Sequence, residues 1–338
     1  MSLFFFSIIY ILILFSIIFI SKKLDLYDYP SNKRKIHSKP TLNTSGVALY
    51  VYLLIIVSNN EFSYHLEEII LIGLFVALSG FLDDQKGLSP SLKLMLLLIP
   101  GLYLILNGYT LKDLGEYEYF NTINLGKFSL IFTIFAYGLL VNSYNYVDGI
   151  DGLLLSTITI GVCYAIFLSQ NQNTVEFLKI FLIPIMINTY FNFLPSKSSF
   201  KIFGGDCGSL FLGYFMSFLM IYLYIKEKIH PAYLIWMCWY PVYDFLFITI
   251  YRIKTKKNLF LADNNHLHHI LLNNYFYKSH LKTSMFICLL NITIIILNYN
   301  LINYFGKIFS LMLFIILFII YYLFRFAQLK KIKIKTDR

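Results

Sequence analysis

The residues of this sequence that could do chemistry are densest between positions 142 and 153. Two carboxamides and two carboxylates recur there at every third position, as Asn142, Asn145, Asp148 and Asp151. The stretch closes one apolar run and opens the next, so it lies at one mouth of two successive membrane helices. Ionisable groups at a membrane edge are costly and are functional candidates by default. An interfacial turn with polar caps is the alternative, and this density of polar groups disfavours it.

Two glycines, Gly149 and Gly152, decide how these four side chains can be arranged. On an unbroken helix three residues turn through about 300°, so the four groups would spread over roughly half of the circumference. Glycine lets the backbone leave the helix. We therefore expect the glycines to bring the four polar side chains around one point.

Adjacent carboxylates form a second candidate group. Asp83 and Asp84 end an apolar run, and Lys93 follows on the opening turn of the next run, where it can face the same site. Such a pair suits Mg²⁺, which usually takes one or two carboxylates plus substrate phosphates. Like charges side by side also raise one pKa, which helps a general base. The alternative is a solvated turn in which Ser89 and Pro90 start the next helix.

A third group is the run Gly204-Gly205-Asp206-Cys207-Gly208-Ser209 at a predicted helix start. Glycines at a helix N-terminus allow close backbone approach to phosphate and point amide dipoles at it. Asp206 in that position is a candidate metal ligand. Glycine-mediated helix packing is the alternative, but it does not account for the carboxylate in the middle of the run.

Three histidines within four residues, His266, His268 and His269, form the fourth group. A zinc or nickel site is one interpretation. No cysteine and only one nearby acid accompany them, and the oxygen-rich motifs elsewhere favour a hard metal. Hydrogen bonding to sugar and phosphate oxygens is therefore the favoured interpretation.

These groups must be positioned by membrane helices, because 58% of the 338 residues are hydrophobic and only 14% are charged. We predict a single all-α integral-membrane domain over residues 1–338, with a basic tail over about 326–338. The four scattered cysteines indicate neither a disulfide framework nor a zinc site. A span needs roughly 20 apolar residues, and eleven candidates, or ten if a short one fails, lie at about 3–20, 46–58, 66–82, 91–107, 127–141, 153–169, 176–194, 209–225, 231–250, 283–299 and 307–324.

The topology follows from the 28 Lys and Arg residues, most of which lie after the odd-numbered spans. The positive-inside rule then predicts the N-terminus outside and the C-terminus in the cytoplasm. The net charge of +10 is thus a membrane signal and not a nucleic-acid signal. A basic segment with Arg34, Lys35 and His37 either holds phosphate or anchors the topology. Every polar group above falls on the inner side, so we expect one cytoplasmic site.

Four motifs in this order resemble the polyprenyl-phosphate N-acetylhexosamine-1-phosphate transferases over about residues 25–272. The first segment and the histidine motif are similar to the GlcNAc-type branch, and the phospho-MurNAc-pentapeptide transferases of peptidoglycan synthesis are the alternative. One departure is that the family usually has a Gly-Gly pair where this chain reads Ser45-Gly46, which leaves the roles of His37 and Lys39 open. The motifs are Asp28-x-Pro30…Arg34-Lys35-x-His37-x-x-Pro40, Asp83-Asp84…Lys93, Asn142…Gly152 with Gly204…Ser209, and His266-Leu267-His268-His269.

The resemblance implies a role for each group. Asp206 is the principal Mg²⁺ ligand with Asn145 as a second, and Mn²⁺ is the alternative ion. Asp83 and Asp84 face the polyprenyl phosphate as candidate proton acceptors, and Lys93 holds its charge. Asp148 and Asp151, which are catalytic candidates together with Asp83, Asp84 and Asp206, line the nucleotide pocket with Gly149 and Asn192. Asn142 is a further substrate-binding residue, Phe203 stacks on uracil, and His266, His268 and His269 contact the diphosphate and sugar.

The implied reaction moves a sugar phosphate from a UDP-N-acetylhexosamine, by default UDP-GlcNAc, to undecaprenyl or a similar polyprenyl phosphate and releases UMP. It would begin a lipid-linked envelope glycan of the O-antigen, teichoic acid or capsule type in a bacterial cytoplasmic membrane. The resemblance is compatible with a homodimer. A transporter for an anionic solute is the second class of function. Transporter sites, however, lie near the bilayer midplane, often in repeated halves, whereas these acids lie at the inner ends and no repeat is visible.

Overall fold

The computed structural model describes residues 3–29, 40–59, 64–258 and 264–336. Within these ranges the chain forms fourteen α-helices, two 3₁₀ turns and five short strands. The predicted basic segment with Arg34, Lys35, His37 and Lys39 lies outside the described residues. The helices are α1 (Leu3–Lys23), α2 (Ser45–Asn59), α3 (Tyr64–Ile72), α4 (Leu74–Lys86), α5 (Pro90–Leu106), α6 (Ser129–Val147), α7 (Leu153–Leu168), α8 (Gln172–Phe193), α9 (Gly205–Ile225), α10 (Pro231–Leu234), α11 (Trp239–Lys254), α12 (Leu267–Asn274), α13 (His280–Phe305) and α14 (Lys307–Thr336).

Helix α9 is the centre of the bundle. Its side chains are buried on nearly all sides, and it packs against α2, α4 and α6. A helix that is apolar all round is typical of a fully enclosed position. Its 21 residues extend about 30 Å, which matches the hydrocarbon thickness of a bilayer. Asp206 therefore lies at one end of the bundle, in the first turn of its most enclosed helix.

Seven helical segments of the described chain are long and apolar enough to cross a membrane. Three shorter apolar helices, at 45–58, 91–106 and 153–168, correspond to further predicted spans. The chain is thus a helical membrane protein, while the number of eleven crossings and the orientation of the termini stay predictions. The seven segments are Leu3–Lys23, Gly126–Val147, Gln172–Phe193, Gly205–Ile225, Pro231–Lys254, His280–Phe305 and Lys307–Lys331.

Two predicted spans are interrupted in the structure. The span predicted at 66–82 divides at Gly73, between α3 and α4. The span predicted at 231–250 consists of α10, a 3₁₀ turn (Ile235–Cys238) and α11. Pro241 is the third residue of α11, and a proline removes a backbone donor and clashes with the carbonyl four residues earlier. The 3₁₀ turn thus lies just before Pro241, where a regular helical hydrogen bond is missing.

Two small sheets were not predicted from the sequence. Strand β2 (Thr41–Asn43) pairs antiparallel with β1 (Tyr27–Asp28) and parallel with β5 (Ile202–Phe203). Strand β5 immediately precedes α9, so this sheet fixes the start of the central helix. At the other end of α9, strands β3 (Asp113–Tyr117) and β4 (Asn121–Asn124) form a hairpin. The strands are too short and too polar to give an alternating pattern that a sequence reading would detect.

The β3–β4 hairpin contacts the start of α14 at the far end of the bundle. Between its strands, the Glu118 carboxylate accepts hydrogen bonds from the backbone N–H groups of Lys307 at 2.7 Å and Ile308 at 3.2 Å. A carboxylate at a helix N-terminus satisfies free N–H groups and complements the helix dipole. Glu118 therefore caps α14 at the end opposite to the polar motifs. The four cysteines are all free, as the sequence indicated.

Candidate active site

The Lys93 ammonium joins two carboxylates at the start of α9. Its Nζ lies 2.7 Å from Asp83 Oδ2 and 2.6 Å from Asp206 Oδ2. Lys93 is placed there by the start of α5, where the Ser89 hydroxyl accepts a hydrogen bond from Leu92 N and caps the helix. Lys93 thus lies on the first turn of α5 and faces the aspartates, as the sequence predicted.

Asn145 adds a fourth polar side chain to this cluster. Its Nδ2 donates to Asp206 Oδ1 at 3.1 Å and to Ser209 Oγ at 2.7 Å. Helix α6 extends six residues beyond the predicted span, so Asn145 is carried on its last turns against α9. Asp148 follows at the C-terminus of α6, close enough that its charge interacts with those of Asp206 and Asp84.

Asp84 has a different position from its neighbour Asp83. Its carboxylate accepts hydrogen bonds from the backbone N–H groups of Asp206 at 3.0 Å and Cys207 at 3.2 Å. Gly205 permits this contact, because it has φ +64° and an added Cβ would lie 2.3 Å from Asp84 Oδ2. The amides predicted to point at phosphate are therefore occupied by Asp84, which holds the start of α9. Burial raises the pKa of Asp84 to about 7, although these amide hydrogen bonds act in the opposite direction.

Small residues allow the helices to meet closely at this site. An added Cβ at Gly80 of α4 would lie 2.3 Å from the Asp206 carbonyl oxygen, and one at Gly46 of α2 would lie 2.4 Å from Gly208 N. Both contacts are with the backbone of α9, which cannot move aside as a side chain can. Gly46 thus makes the close approach even though the chain lacks the Gly-Gly pair noted above.

The residues of this cluster fit a Mg²⁺ ion. Asp83 and Asp206 already direct carboxylate oxygens at one shared cation, the Lys93 ammonium, and Asn145 contributes a carboxamide beside them. Among the described residues no three His, Cys, Asp or Glu side chains form a ready-made metal cage. Mg²⁺ does not require one, because it keeps several waters and is usually held by one or two carboxylates plus substrate phosphates.

Asp151 and Asn192 hold the loop between α6 and α7. Asp151 Oδ2 lies 2.6 Å from Lys201 Nζ and 3.2 Å from His280 Nδ1. Burial acts to raise the pKa of Asp151, but these two partners hold it below its usual range. Asn192 accepts a hydrogen bond from Gly152 N and donates to Ile202 O at 2.9 Å. Both side chains therefore have protein partners within the predicted nucleotide pocket.

The expectation that four polar side chains gather around one point was wrong. Asn145 reaches Asp206, whereas Asp151 is bound to Lys201. Asn142 donates to the Gly138 carbonyl on its own helix at 2.7 Å. The helix continues through the two asparagines, so only the aspartates lie in the loop that follows.

Lys201 is the functional candidate that the sequence reading missed in this region. Its side chain is almost fully buried and also donates to the carbonyls of Asn192 at 2.9 Å and Leu194 at 3.0 Å. Its Nζ lies 5.6 Å from the centre of the Phe203 ring. A cation facing an aromatic ring is attracted to it, so Lys201 links Asp151 to the ring predicted to stack on uracil. One lysine in a basic-looking loop gave no signal of this role.

The three histidines pack against the same loop. His266 and His268 are stacked with ring centres 5.3 Å apart, and His269 lies 4.3 Å from His268. An added Cβ at Gly149 would lie 2.3 Å from His268 Nε2 and 2.9 Å from His269 Nε2. Burial, with the neighbouring histidines, lowers the pKa of His268 well below its usual value. The structure thus brings the fourth predicted group to the loop that carries Asp148.

The sequence reading also missed Asp244, the partner of His266. His266 Nδ1 lies 2.7 Å from Asp244 Oδ2. Asp244 is a lone carboxylate within the predicted span 231–250, and an ionisable group inside a span is a functional candidate. That signal was present in the sequence, but nothing indicated the partner.

This chain is similar to proteins of a known family. The family model described as glycosyl transferase family 4 matches residues 67–224, a range that includes the Asp83, Asn145 and Asp206 cluster. The chain is similar to a protein of Bacillus subtilis (strain 168) named probable undecaprenyl-phosphate N-acetylglucosaminyl 1-phosphate transferase. The two are 28% identical over 260 residues, which are 75% of this chain and 71% of the relative.

Two further relatives bear the name undecaprenyl-phosphate alpha-N-acetylglucosaminyl 1-phosphate transferase. The protein of Yersinia pestis is 26% identical over 262 residues, which cover 74% of this chain and 70% of the relative. The protein of Thermotoga maritima is 26% identical over 251 residues, with 74% of each chain covered. The family match over residues 67–224 and these relatives support the assignment of this chain as a phosphosugar transferase related to glycosyl transferase family 4.

Proposed function

We propose that this protein transfers GlcNAc 1-phosphate from UDP-GlcNAc to undecaprenyl phosphate and releases UMP. The observation that carries the proposal is the cluster of Asp83, Lys93, Asn145 and Asp206 at one end of a membrane bundle. Such a cluster can hold phosphate groups of a lipid and of a nucleotide at the membrane surface. The names of the relatives support the choice of sugar and lipid.

The reaction needs a positioned nucleophile and a stabilised leaving group. An oxygen of the lipid phosphate attacks the β-phosphorus of UDP-GlcNAc. The bond from the β-phosphorus to the bridging oxygen breaks, and UMP leaves with the electron pair. Phosphoryl transfer of this kind depends on positioning and electrostatic stabilisation. Direct attack is favoured over an aspartyl-phosphate intermediate, because the lipid phosphate is already an adequate nucleophile.

Charge explains why a divalent cation belongs in this proposal. Among the residues that the structure describes, four carboxyl groups, Asp83, Asp84, Asp148 and Asp206, interact around the Lys93 ammonium. Two anionic substrates would be repelled by such a site without further positive charge. Asp206 and Asp83, with Asn145 beside them, would hold Mg²⁺ or Mn²⁺. When bound, the ion supplies positive charge to the diphosphate, and Lys93 orients the phosphates from the α5 side.

Asp148 is the best candidate to accept a proton from the lipid phosphate. Asp84 is engaged by backbone amides. Burial acts to raise the pKa of Asp83, but hydrogen bonds with Asp206, Lys93 and Leu88 N lower it, which weakens Asp83 as a base. Asp148 keeps contact with solvent, while desolvation by surrounding protein atoms and the charges of Asp206 and Asp151 raise its pKa to about 7. A general base works best with a pKa near the operating pH.

This assignment predicts the pH dependence of transfer. The raised pKa of Asp148 means that its carboxylate is protonated below about pH 7 and available as a base above it. The rate constant kcat/KM should therefore rise through this region to a plateau at alkaline pH. Replacing Asp148 with asparagine should remove the inflection and lower the plateau by about 10²-fold or more. An unchanged inflection in Asp148→Asn would assign the ionisation to another group.

The proposal also states on which side of the membrane the site lies. We place the cluster at the cytoplasmic face, where UDP-sugars are made, in agreement with the distribution of Lys and Arg. The product would start a lipid-linked glycan of the cell envelope. Cysteine-accessibility labelling of single-cysteine variants at Lys86 and Tyr119, which belong to opposite ends of the bundle, would test the orientation. If an impermeant reagent labelled Lys86→Cys in intact cells, the site would lie on the outer side and the proposed orientation would be wrong.

Release of UMP tests the reaction itself. Purified protein would be incubated with undecaprenyl phosphate, Mg²⁺ and, separately, UDP-GlcNAc, UDP-GalNAc and UDP-MurNAc-pentapeptide. We expect UMP release that needs the lipid, the ion and UDP-GlcNAc together. Exclusive use of UDP-MurNAc-pentapeptide would move the protein to the peptidoglycan branch. Exchange of labelled UMP into UDP-GlcNAc without lipid would support the covalent route, and solute uptake into liposomes without UMP release would favour a transporter.

A further inference from the structure

A buried carboxylate holds the first histidine of the His266–His269 motif. Asp244 of α11 is 1% exposed, and its Oδ2 lies 2.7 Å from His266 Nδ1. Its Oδ1 accepts a hydrogen bond from Leu267 N at 3.0 Å. Asp244 therefore binds both the ring of His266 and the first backbone N–H of α12, which fixes the histidine and the helix that follows it.

The last helix of the chain holds Asp244 in turn. The Tyr321 hydroxyl donates to Asp244 Oδ1 at 2.8 Å, and Arg325 Nη2 lies 4.0 Å from the same oxygen. Arg325 is fully buried and also donates to the Asn265 carbonyl, immediately before His266. A buried charge requires a partner and further hydrogen bonds, and Asp244 has both. Tyr321 and Arg325 thus connect α14 to the histidine motif through one carboxylate.

This arrangement determines which nitrogen of His266 carries a proton. A carboxylate accepts hydrogen bonds but cannot donate them, so the Nδ1 that faces Asp244 must carry hydrogen. In the neutral ring Nε2 is then the free acceptor, and in the charged ring it is a donor. An orienting carboxylate behind a histidine sets both its tautomer and its ring direction.

We propose that Asp244 is a positioning residue for sugar-phosphate transfer, which fixes His266 as the Nδ1–H tautomer, and that Tyr321 and Arg325 of α14 keep it in place. The inference rests on the proposed function for its catalytic part only. Its structural part, the tautomer of His266, holds whether or not the assigned substrate is correct. It also makes α14, whose remaining surface is mostly exposed and apolar, part of the active site.

A purely structural ion pair is the competing explanation for these contacts. Removal of one partner from a buried pair is destabilising in either case. A loss of activity or of thermal stability alone would therefore not distinguish the two. The test must report on the ring of His266 itself.

Nitrogen NMR provides that report. Protein labelled with ¹⁵N-histidine in lipid bilayers would be studied at alkaline pH, where imidazole is neutral, and the His266 signals would be assigned by their loss in His266→Gln. We expect a protonated Nδ1 and a bare Nε2 at His266. In Asp244→Asn this preference should be lost. A proton on Nε2 in the unchanged protein would overturn the proposal, and that result requires no variant to fold.

Kinetics then test the catalytic part. Asp244→Asn should lower kcat/KM by about 10–100-fold and should have little further effect in a His266→Gln background, because both changes remove one function. If the double variant instead lost kcat/KM by the product of the two single losses, Asp244 would not act through His266. If no UDP-sugar releases UMP in the unchanged protein, the proposed function fails while the NMR result still stands.

A matched pair of tyrosines tests the contribution of α14. Tyr321→Phe removes the hydroxyl that binds Asp244 and keeps the ring, so kcat/KM should fall several-fold and the His266 tautomer should become mixed. Tyr322→Phe is the control, because the buried Tyr322 hydroxyl has no hydrogen-bond partner among the described residues. Equal activity and equal NMR spectra of the two variants would exclude α14 from the role assigned here.

Discussion

Replacement of Asp206 with asparagine is expected to lower the kcat of sugar-phosphate transfer by roughly 10²–10³-fold or more while the protein remains folded. Asp206 binds Lys93 through one oxygen and Asn145 through the other, and it is the carboxylate best placed to hold Mg²⁺. An asparagine keeps the shape but loses the charge that both cations require. UMP release at several Mg²⁺ concentrations, together with a thermal unfolding curve, would measure the effect.

Stability should change little or rise in this variant. Asp206 lies among Asp83, Asp84 and Asp148, and their mutual repulsion is reduced when one charge is removed. Asp113→Asn is a matched control, since Asp113 is an aspartate at the opposite end of the bundle whose carboxylate accepts a hydrogen bond from Tyr224. Full activity of Asp206→Asn at saturating Mg²⁺ would remove Asp206 from the metal and from the mechanism.

The second large effect is expected from one methyl group at Gly80. An added Cβ there would lie 2.3 Å from the carbonyl oxygen of Asp206 and 2.4 Å from Cys207 N. These are backbone atoms of α9, so α4 must move away and carry Asp83 and Asp84 with it. A misplacement of about 1 Å can cost about 10²-fold in rate, and Gly80→Ala should lose at least that much of kcat/KM in the UMP assay.

Gly138→Ala is the matched control for this prediction. Gly138 also lies within a helix of the bundle, but an added Cβ would meet no atom within 4 Å. Alanine is favoured over glycine in helices by about 1 kcal/mol, so this variant should unfold at the same or a higher temperature and remain active. If Gly80→Ala were as active as Gly138→Ala, close contact of α4 with α9 would not be needed for the site.

The sequence was enough to predict that motifs far apart along the chain meet at one site, because the order of the membrane helices limits where each motif can lie. Apolar runs set the lengths of the helices, and alternation of Lys and Arg placed every polar group at one end. The spacing of ten residues from Asp83 to Lys93 was short enough to return to the same site through a capped turn. The structure accordingly joins Asp83, Lys93 and Asp206.

The directions of individual side chains could not be predicted in the same way. Asp83 and Asp84 are neighbours in sequence, yet one faces Lys93 and the other caps α9. The difference depends on the start of α9, more than 100 residues later. The partners Lys201 and Asp244 were missed for a related reason, since a single charged residue in a loop or span does not reveal which side chain it will meet. Short strands such as β5 are likewise determined by pairing across the chain and not by local pattern.

The enclosed position of α9 has a consequence for the response of this protein to its lipids. Differences in bilayer thickness are absorbed by tilt of the helices that touch lipid, and here those include α1, α13 and α14, whose apolar side chains are exposed. Helix α9 is shielded from acyl chains by its neighbours, so hydrophobic mismatch reaches Asp206 only indirectly. Asp83 and Lys93, in contrast, lie on α4 and α5, which also expose apolar side chains such as Phe75 and Met95, so bilayer thickness acts on the site through these two helices.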